Sequence, residues 1–162
     1  MEYLLDADVF IQAKNLHYGF DFCPAFWEWL IKKNALKHVY SIEKVADELK
    51  GYGDELSDWA AQQSDDFFLK PDNSIVSCFT TISNWVKSQQ YDQAAVSTFF
   101  QIADFYLIAY ALAQNRVVIT HEKPSNGRKK IKIPNVCIGL NIKCMTPFEM
   151  LRVEHARFIL GQ

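Results

Sequence analysis

Two short runs constrain this chain more than anything else in it: Tyr3-Leu4-Leu5 and Val117-Val118-Ile119 are apolar at every position. A strand with one wet face alternates polar and apolar residues, because successive side chains point to opposite sides. An unbroken apolar strand is therefore buried on both faces, which is the habit of parallel sheets sandwiched between helices. The β-branched segment Arg116-Val117-Val118-Ile119-Thr120 fits such a strand, and stretches of helical spacing alternate with the short runs along the chain. The expected class is α/β, a three-layer α/β/α arrangement around a central, mostly parallel sheet, in one domain over residues 1–162. A composition of 49% hydrophobic and only 22% charged residues supports such a core and excludes a disordered chain.

The pattern places the other elements as follows. Pro24 opens a helix that ends near Lys33-Asn34, with its aromatic residues inward, and Val39-Tyr40 is a short strand. Ser41 is placed to cap a helix that carries Ile42, Val45, Ala46 and Leu49 on one face and stops at Gly51. Further helices are expected over Asp54 to Gln63 and Ile75 to Val86, with Phe67-Phe68-Leu69 a strand between them. Phe99 to Ala113 reads as the strongest helix, ended by Asn115. Lys123 to Lys132 is a polar loop, Val136 to Ile138 and Asn141 to Cys144 are read as short edge strands, and Pro147 opens a last helix with Phe148, Leu151 and Phe158 inward. The longest apolar stretch, Phe105 to Ala113, falls far short of the roughly 20 residues that cross a bilayer. The first residues, with Asp6 where a leader would be apolar, suggest a cytoplasmic protein with no membrane partner. The cysteines Cys23, Cys78, Cys137 and Cys144 form no CxxC and read as buried free thiols, although Cys137 and Cys144 could be placed near one another.

In an open α/β sheet, ligands bind beyond the carboxyl ends of the strands. Acidic residues collect at those ends. Asp6 and Asp8 follow the first strand, and Glu122 follows the strand that ends at Thr120. Glu48 lies within Val45-Ala46-Asp47-Glu48-Leu49, and Asp104 stands just ahead of the uncharged stretch Phe105 to Gln114. A carboxylate set in apolar sequence is costly to bury unless it is paired or binds a cation. Taken singly, Asp6 is as well explained as a cap and Glu48 as a solvated helix residue. Converging, they would repel one another unless a hard cation neutralised them, and all-oxygen ligation selects Mg2+ or Mn2+. Of the four His residues only His121 is beside the set, where it is expected to line the site.

The order Tyr3-Leu4-Leu5-Asp6-Ala7-Asp8-Val9-Phe10, Val45-Ala46-Asp47-Glu48-Leu49, Ala103-Asp104 through Ala113, and Val117-Val118-Ile119-Thr120-His121-Glu122 resembles a PIN domain. The likeness runs through nearly the whole chain and extends to Ile131-Lys132-Ile133-Pro134-Asn135-Val136-Cys137. It is closest to bacterial stand-alone forms resembling VapC-like ribonuclease toxins. The resemblance implies a PIN-like fold and a Mg2+- or Mn2+-dependent ribonuclease, often the toxin of a type II toxin-antitoxin pair. Its partners would be RNA, a protein antitoxin and, in some forms, a second copy in a homodimer. Asp6, Glu48, Asp104 and Glu122 would be catalytic and metal-holding, with Thr120 in its strand-end place. Two positions depart from the pattern. Asp8 stands where Asn or Ser is common, and Glu122 is one methylene longer than the usual Asp. The reaction implied is hydrolysis, an activated water attacking phosphorus.

Lys123, Arg128, Lys129, Lys130 and Lys132 form a basic segment on a chain whose formal net charge is −2. Together with Asp8, Thr120 and His121 they are candidate substrate contacts, the lysines and the arginine for an RNA backbone. Tyr18, Phe20 and Phe22 read as core or as base-stacking residues. Two other functions fit part of the sequence. Asp6-Ala7-Asp8-Val9-Phe10 with Gly53-Asp54-Glu55-Leu56-Ser57-Asp58 resembles the acidic motifs of haloacid dehalogenase-like phosphatases, though Phe10 stands at their Thr/Val position. A catalytically degenerate PIN-like binding module is the other.

Overall fold

A computed structural model describes residues 1–161. In chain order, β1 is Tyr3–Leu5, and α1 (Ala7–Gln12) runs on into a π-helical turn, Ala13–His17. Then come α2 (Pro24–Ala35), β2 (Val39–Ile42), α3 (Glu43–Lys50), α4 (Glu55–Ala61) and β3 (Phe68–Leu69). A 3-10 turn, Asn73–Ile75, leads to α5 (Val76–Ser88), α6 (Gln93–Phe99), α7 (Ala103–Gln114) and β4 (Val117–Ile119). The last elements are α8 (Ile133–Gly139), β5 (Cys144–Met145) and α9 (Pro147–Val153).

The strands form one sheet in the order β3-β2-β1-β4-β5, and every pairing is parallel. Every residue of β1, β2 and β4 is buried, as expected when helices cover both faces. From β1 the chain steps outward one way to β2 and β3, then returns to β4 on the other side and steps on to β5. The order thus reverses between β1 and β4, and the crevice at their carboxyl ends is where such folds bind ligands. Leu5 pairs with Ile119 at this end. The next residues, Asp6 and Thr120, are therefore brought side by side.

Several local features depart from the sequence reading. Ser41 is the third residue of β2, not a helix cap, and its buried hydroxyl donates to the Leu5 carbonyl at 2.7 Å. The expected helix from Phe99 is broken: α6 ends at Phe99, Ile102 is extended, and α7 starts at Ala103. Phe99 and Phe100 both pack on Phe105, at 5.6 and 5.0 Å between ring centres, which a straight helix would not allow. The segment around Val136 is a helix because Ile133, Val136 and Cys137 bury at i, i+3 and i+4. In the segment from Asn141, only Cys144 enters a strand, since Asn141 turns through a positive φ of 56°. Phe158 lies beyond α9 but still meets Tyr18 and Phe26 edge-on. Tyr18 stacks on Phe26 at 4.5 Å and Phe20 on Trp27 at 4.1 Å, so both are packing residues, whereas Phe22 is exposed. All four cysteines are free, and the neighbouring Cys144 thiol together with burial pushes the Cys137 thiol up.

Near the end of α8, Gly139 packs directly against the indole of Trp85 from α5, and a Cβ there would run into the ring. Gly139→Ala is expected to destabilise the protein by about 1–3 kcal/mol through this overpacking. Denaturant titration would read it, and a variant as stable as the parent would show that α5 and α8 yield without strain.

Candidate functional site

Asp6 leaves β1 as the N-cap of α1 and is 5% exposed. Its Oδ1 accepts the Ala7 N–H at 2.7 Å, and its own N–H donates to Ile119 at 2.9 Å. From β4, the Thr120 hydroxyl lies 2.9 Å from Asp6 Oδ2 and 3.1 Å from Asp8 Oδ2, and it accepts the Glu122 N–H at 3.1 Å. A hydroxyl has one proton, so it can donate to only one of the two carboxylates at a time. The oxygens of Asp8 also share the His121 N–H at 3.1 and 3.2 Å. These bonds lock the ends of β1 and β4 together behind the cleft.

Helices bring the other acids. In α3 the buried residues Val45, Ala46 and Leu49 fix the inward face. That leaves Lys44, Asp47 and Glu48 toward the cleft. Asp104 stands in the first turn of α7, where the helix dipole favours a negative charge. Asp6, Asp8, Asp47, Glu48, Asp104 and Glu122 together line a cavity of about 530 Å³ with Lys44, Gln101 and Lys130. All four acids singled out in the sequence are therefore drawn to one cavity from four different elements and connections.

Burial and mutual repulsion together raise three of these carboxyls. Burial first, then Asp8 and Asp104, holds the Asp6 carboxyl well above the usual carboxylate range. Asp104 is pushed up from 3.8 to about 7 by burial, Glu122 and Glu48, with Lys130 opposing. Burial and Asp8 raise Glu48 as well. Among the described residues no group of three His, Cys, Asp or Glu side chains already converges as a metal cage. Glu122 is otherwise engaged: its Oε2 accepts the Ile133 N–H at the start of α8 at 2.8 Å, and Lys130 stands 3.9 Å from its Oε1.

The candidate substrate contacts divide. Asp8 and Lys130 line the acid cavity, while Thr120 is 1% exposed and lies behind it as a brace between carboxylates. His121 does not line the cavity as expected. Its ring turns to His17 and Phe148, at 5.7 and 5.6 Å, and burial lowers its pKa. Arg128, Lys129, Lys130 and Lys132 line an adjoining groove, and Lys123 is exposed. The basic loop is built rather than loose. Asn135 and the Ser125 backbone exchange two hydrogen bonds, at 2.8 and 2.9 Å, and the Arg128 carbonyl accepts the Asp92 N–H at 3.0 Å. Asp54, of the phosphatase-like motif, caps α4 and pairs with Lys14 at 3.1 Å, and neither it nor Asp58 lines the acid cavity. Lys44, Asp47 and Gln101 were not singled out from the sequence. The i, i+4 spacing of Lys44 and Glu48 is the signal that would have found Lys44.

A family model described as a domain of unknown function (DUF4411) matches residues 3–158. No curated protein and no solved structure matches the chain.

The elevated Asp104 carboxyl has a consequence for stability. It holds its proton more tightly in the folded chain than in the unfolded one, so its contribution falls as pH rises from about 4 through 7. Asp104→Asn is therefore expected to gain stability over the wild type across that window, by on the order of 2 kcal/mol at the alkaline end without divalent cations. Thermal melts of both proteins from pH 4 to 8 would show it. A constant difference across the series would mean that the Asp104 carboxyl is not raised.

Proposed function

The chain belongs to the DUF4411 family, and we propose that it is a PIN-like, Mg2+- or Mn2+-dependent ribonuclease that hydrolyses RNA phosphodiesters in its acid-lined cleft. The observation that carries this reading is the convergence of Asp6, Glu48 and Asp104 on one cavity at the sheet's switch point. Glu48 and Asp104 spend no oxygen on a hydrogen bond among the described residues, and burial together with the neighbouring acids raises all three carboxyls, Lys130 opposing this only at Asp104. Such a donor set fits a hard divalent cation. Asp6, Glu48 and Asp104 would hold it, and once bound it would supply charge neutralisation and a more acidic water.

The chain's own residues do the rest. Thr120 fixes the orientation of Asp6, leaving Asp6 one direction into the cavity. Asp104, near neutrality in its proton affinity, can take up or release a proton as a cation or phosphate enters. Lys130 offsets the charge of a phosphate brought against the acids, and Arg128, Lys129 and Lys132 continue the positive path into the adjoining groove. On this reading the cytoplasm is the site of action. A protein antitoxin would restrain the enzyme by placing a cation of its own against Asp6 and Asp104.

A second reading, a degenerate PIN-like module that binds RNA or protein without cutting, is favoured by Glu122. Although it lines the cleft, one of its oxygens is taken by the Ile133 N–H and the other stands near Lys130, so it serves the α8 terminus and is less free to hold a cation than the other acids. The phosphatase reading draws no comparable support, because Asp54 and Asp58 lie outside the cavity.

Purified protein is expected to cleave single-stranded RNA only with Mg2+ or Mn2+, and Asp6→Asn to lower the rate at least about 100-fold. Cleavage that survives EDTA or Asp6→Asn would sink the proposal, whereas RNA binding without cleavage would favour the module. Replacing Arg128, Lys129 and Lys130 together by Ala should lower the slope of log affinity against log salt by about 2, as three phosphate contacts are lost. An unchanged slope would make the loop a solvated surface.

A further inference from the structure

The acid cleft has a second cation that none of the acidic motifs accounts for. Lys44 lies on α3 one turn before Glu48 and lines the same cavity. At that spacing a Lys and a Glu meet readily on a helix surface. Here they do not pair: among the described residues Lys44 enters no ion pair. Its ammonium instead sits over the ring of Tyr106, 4.2 Å from the ring centre. Tyr106 belongs to α7, the helix that supplies Asp104, and is itself held edge-on by Phe79 of α5 at 5.1 Å. A cation over an aromatic face keeps its charge and leaves its remaining N–H donors open to another partner.

The placement across the sheet gives this cation a role. Lys44 follows β2, Asp6 follows β1, and Glu122 with Lys130 follows β4. With β1 between β2 and β4, the acids lie between two ammonium groups. The strands they follow, β2 and β4, lie two strand spacings apart, on the order of 10 Å. The ring of Tyr106 keeps Lys44 from collapsing onto Glu48, which would cancel both charges. It also covers one face of Tyr106, so that this wall offers a charge and not a base-stacking platform.

Resting on the nuclease reading above, we infer that Lys44 is a phosphate subsite, and that it and Lys130 grip the backbone on opposite sides of the bond to be cut. The substrate class is then a polynucleotide strand with charged linkages on both sides of the cleft. A nucleoside monophosphate reaches only one of the two cations and is a poor ligand.

The test uses the full chain carrying Asp6→Asn, so that binding is read without turnover, with a fluorescent single-stranded oligoribonucleotide in Mg2+. Adding Lys44→Gln is expected to weaken binding about 3-fold near 100 mM salt and to lower the salt slope by about 0.7, one phosphate contact on a single strand. Lys50→Gln, an exposed position on the same helix, should leave both unchanged, and thermal melts establish that each variant is folded. No effect of Lys44→Gln, an equal effect of Lys50→Gln, or no binding by the parent overturns the subsite. Cleavage by the wild type is scored separately. A chain that cuts RNA while Lys44→Gln keeps the full salt slope loses the subsite and keeps the nuclease. A chain that never cuts, yet loses slope with Lys44→Gln, keeps the subsite and loses the nuclease.

Discussion

A carboxylate buried at the end of the central strand must be satisfied, and much of this structure follows from how Asp6 is. Its exposure is 5%, and an isolated charge so placed would not survive burial. One oxygen is met by the first N–H of α1, which sets where that helix begins, and the other by Thr120, which requires β4 to lie beside β1 in the register Leu5 to Ile119. Thr120 in turn receives the Glu122 N–H, so the chain leaving β4 is aimed by the same hydroxyl. Asp8 then collects the His121 N–H. The polar ends of two fully apolar strands are thus joined by side chains where the backbone ladder stops.

That arrangement leaves an excess of negative charge with few resident cations to offset it. Lys14 is spent on Asp54, Lys33 on Glu154 and Arg116 on Glu2, all away from the cavity. Lys130 approaches Glu122 only to 3.9 Å, and Lys44 is held on Tyr106. A folded chain gains nothing from raising the proton affinity of Asp6, Glu48 and Asp104 together. The burial that does so is a cost to stability, and such costs collect where a site is kept ready for a ligand.

The parts of this site that were legible in the sequence are those written in short-range pattern. The apolar runs of β1 and β4 mark buried parallel strands, and the acids just past them mark the crevice. Val45, Ala46 and Leu49 at helical spacing put Glu48 on the opposite face of α3. What was not legible depends on contacts between distant residues. The break before α7 exists because three phenylalanines pack together across it. Ser41 is a strand residue because the Leu5 carbonyl, 36 positions away, accepts its hydroxyl. His121 faces away from the acids because His17 and Phe148 make a pocket for its ring. The helical period of Ile133, Val136 and Cys137 was present in the sequence and outweighs the β-branched character of that segment once its face is buried against α7 and β5.

Glu122 explains why the acid cleft and the basic loop belong to one device. Its carboxylate reaches across to the first N–H of α8, eleven positions further on, and so closes the segment that carries Arg128, Lys129 and Lys130. An Asp at this place would be shorter by one methylene and would leave that N–H without this partner. The longer side chain therefore lines the cleft and also holds the loop beside it, which brings Lys130 back to the cavity wall. On the proposed reading, a cation entering between Asp6 and Asp104 would compete with Lys130 for Glu122, and a phosphate arriving along the loop would compete with Glu122 for Lys130. Binding at either place then changes the charge felt at the other, so the two cannot act independently.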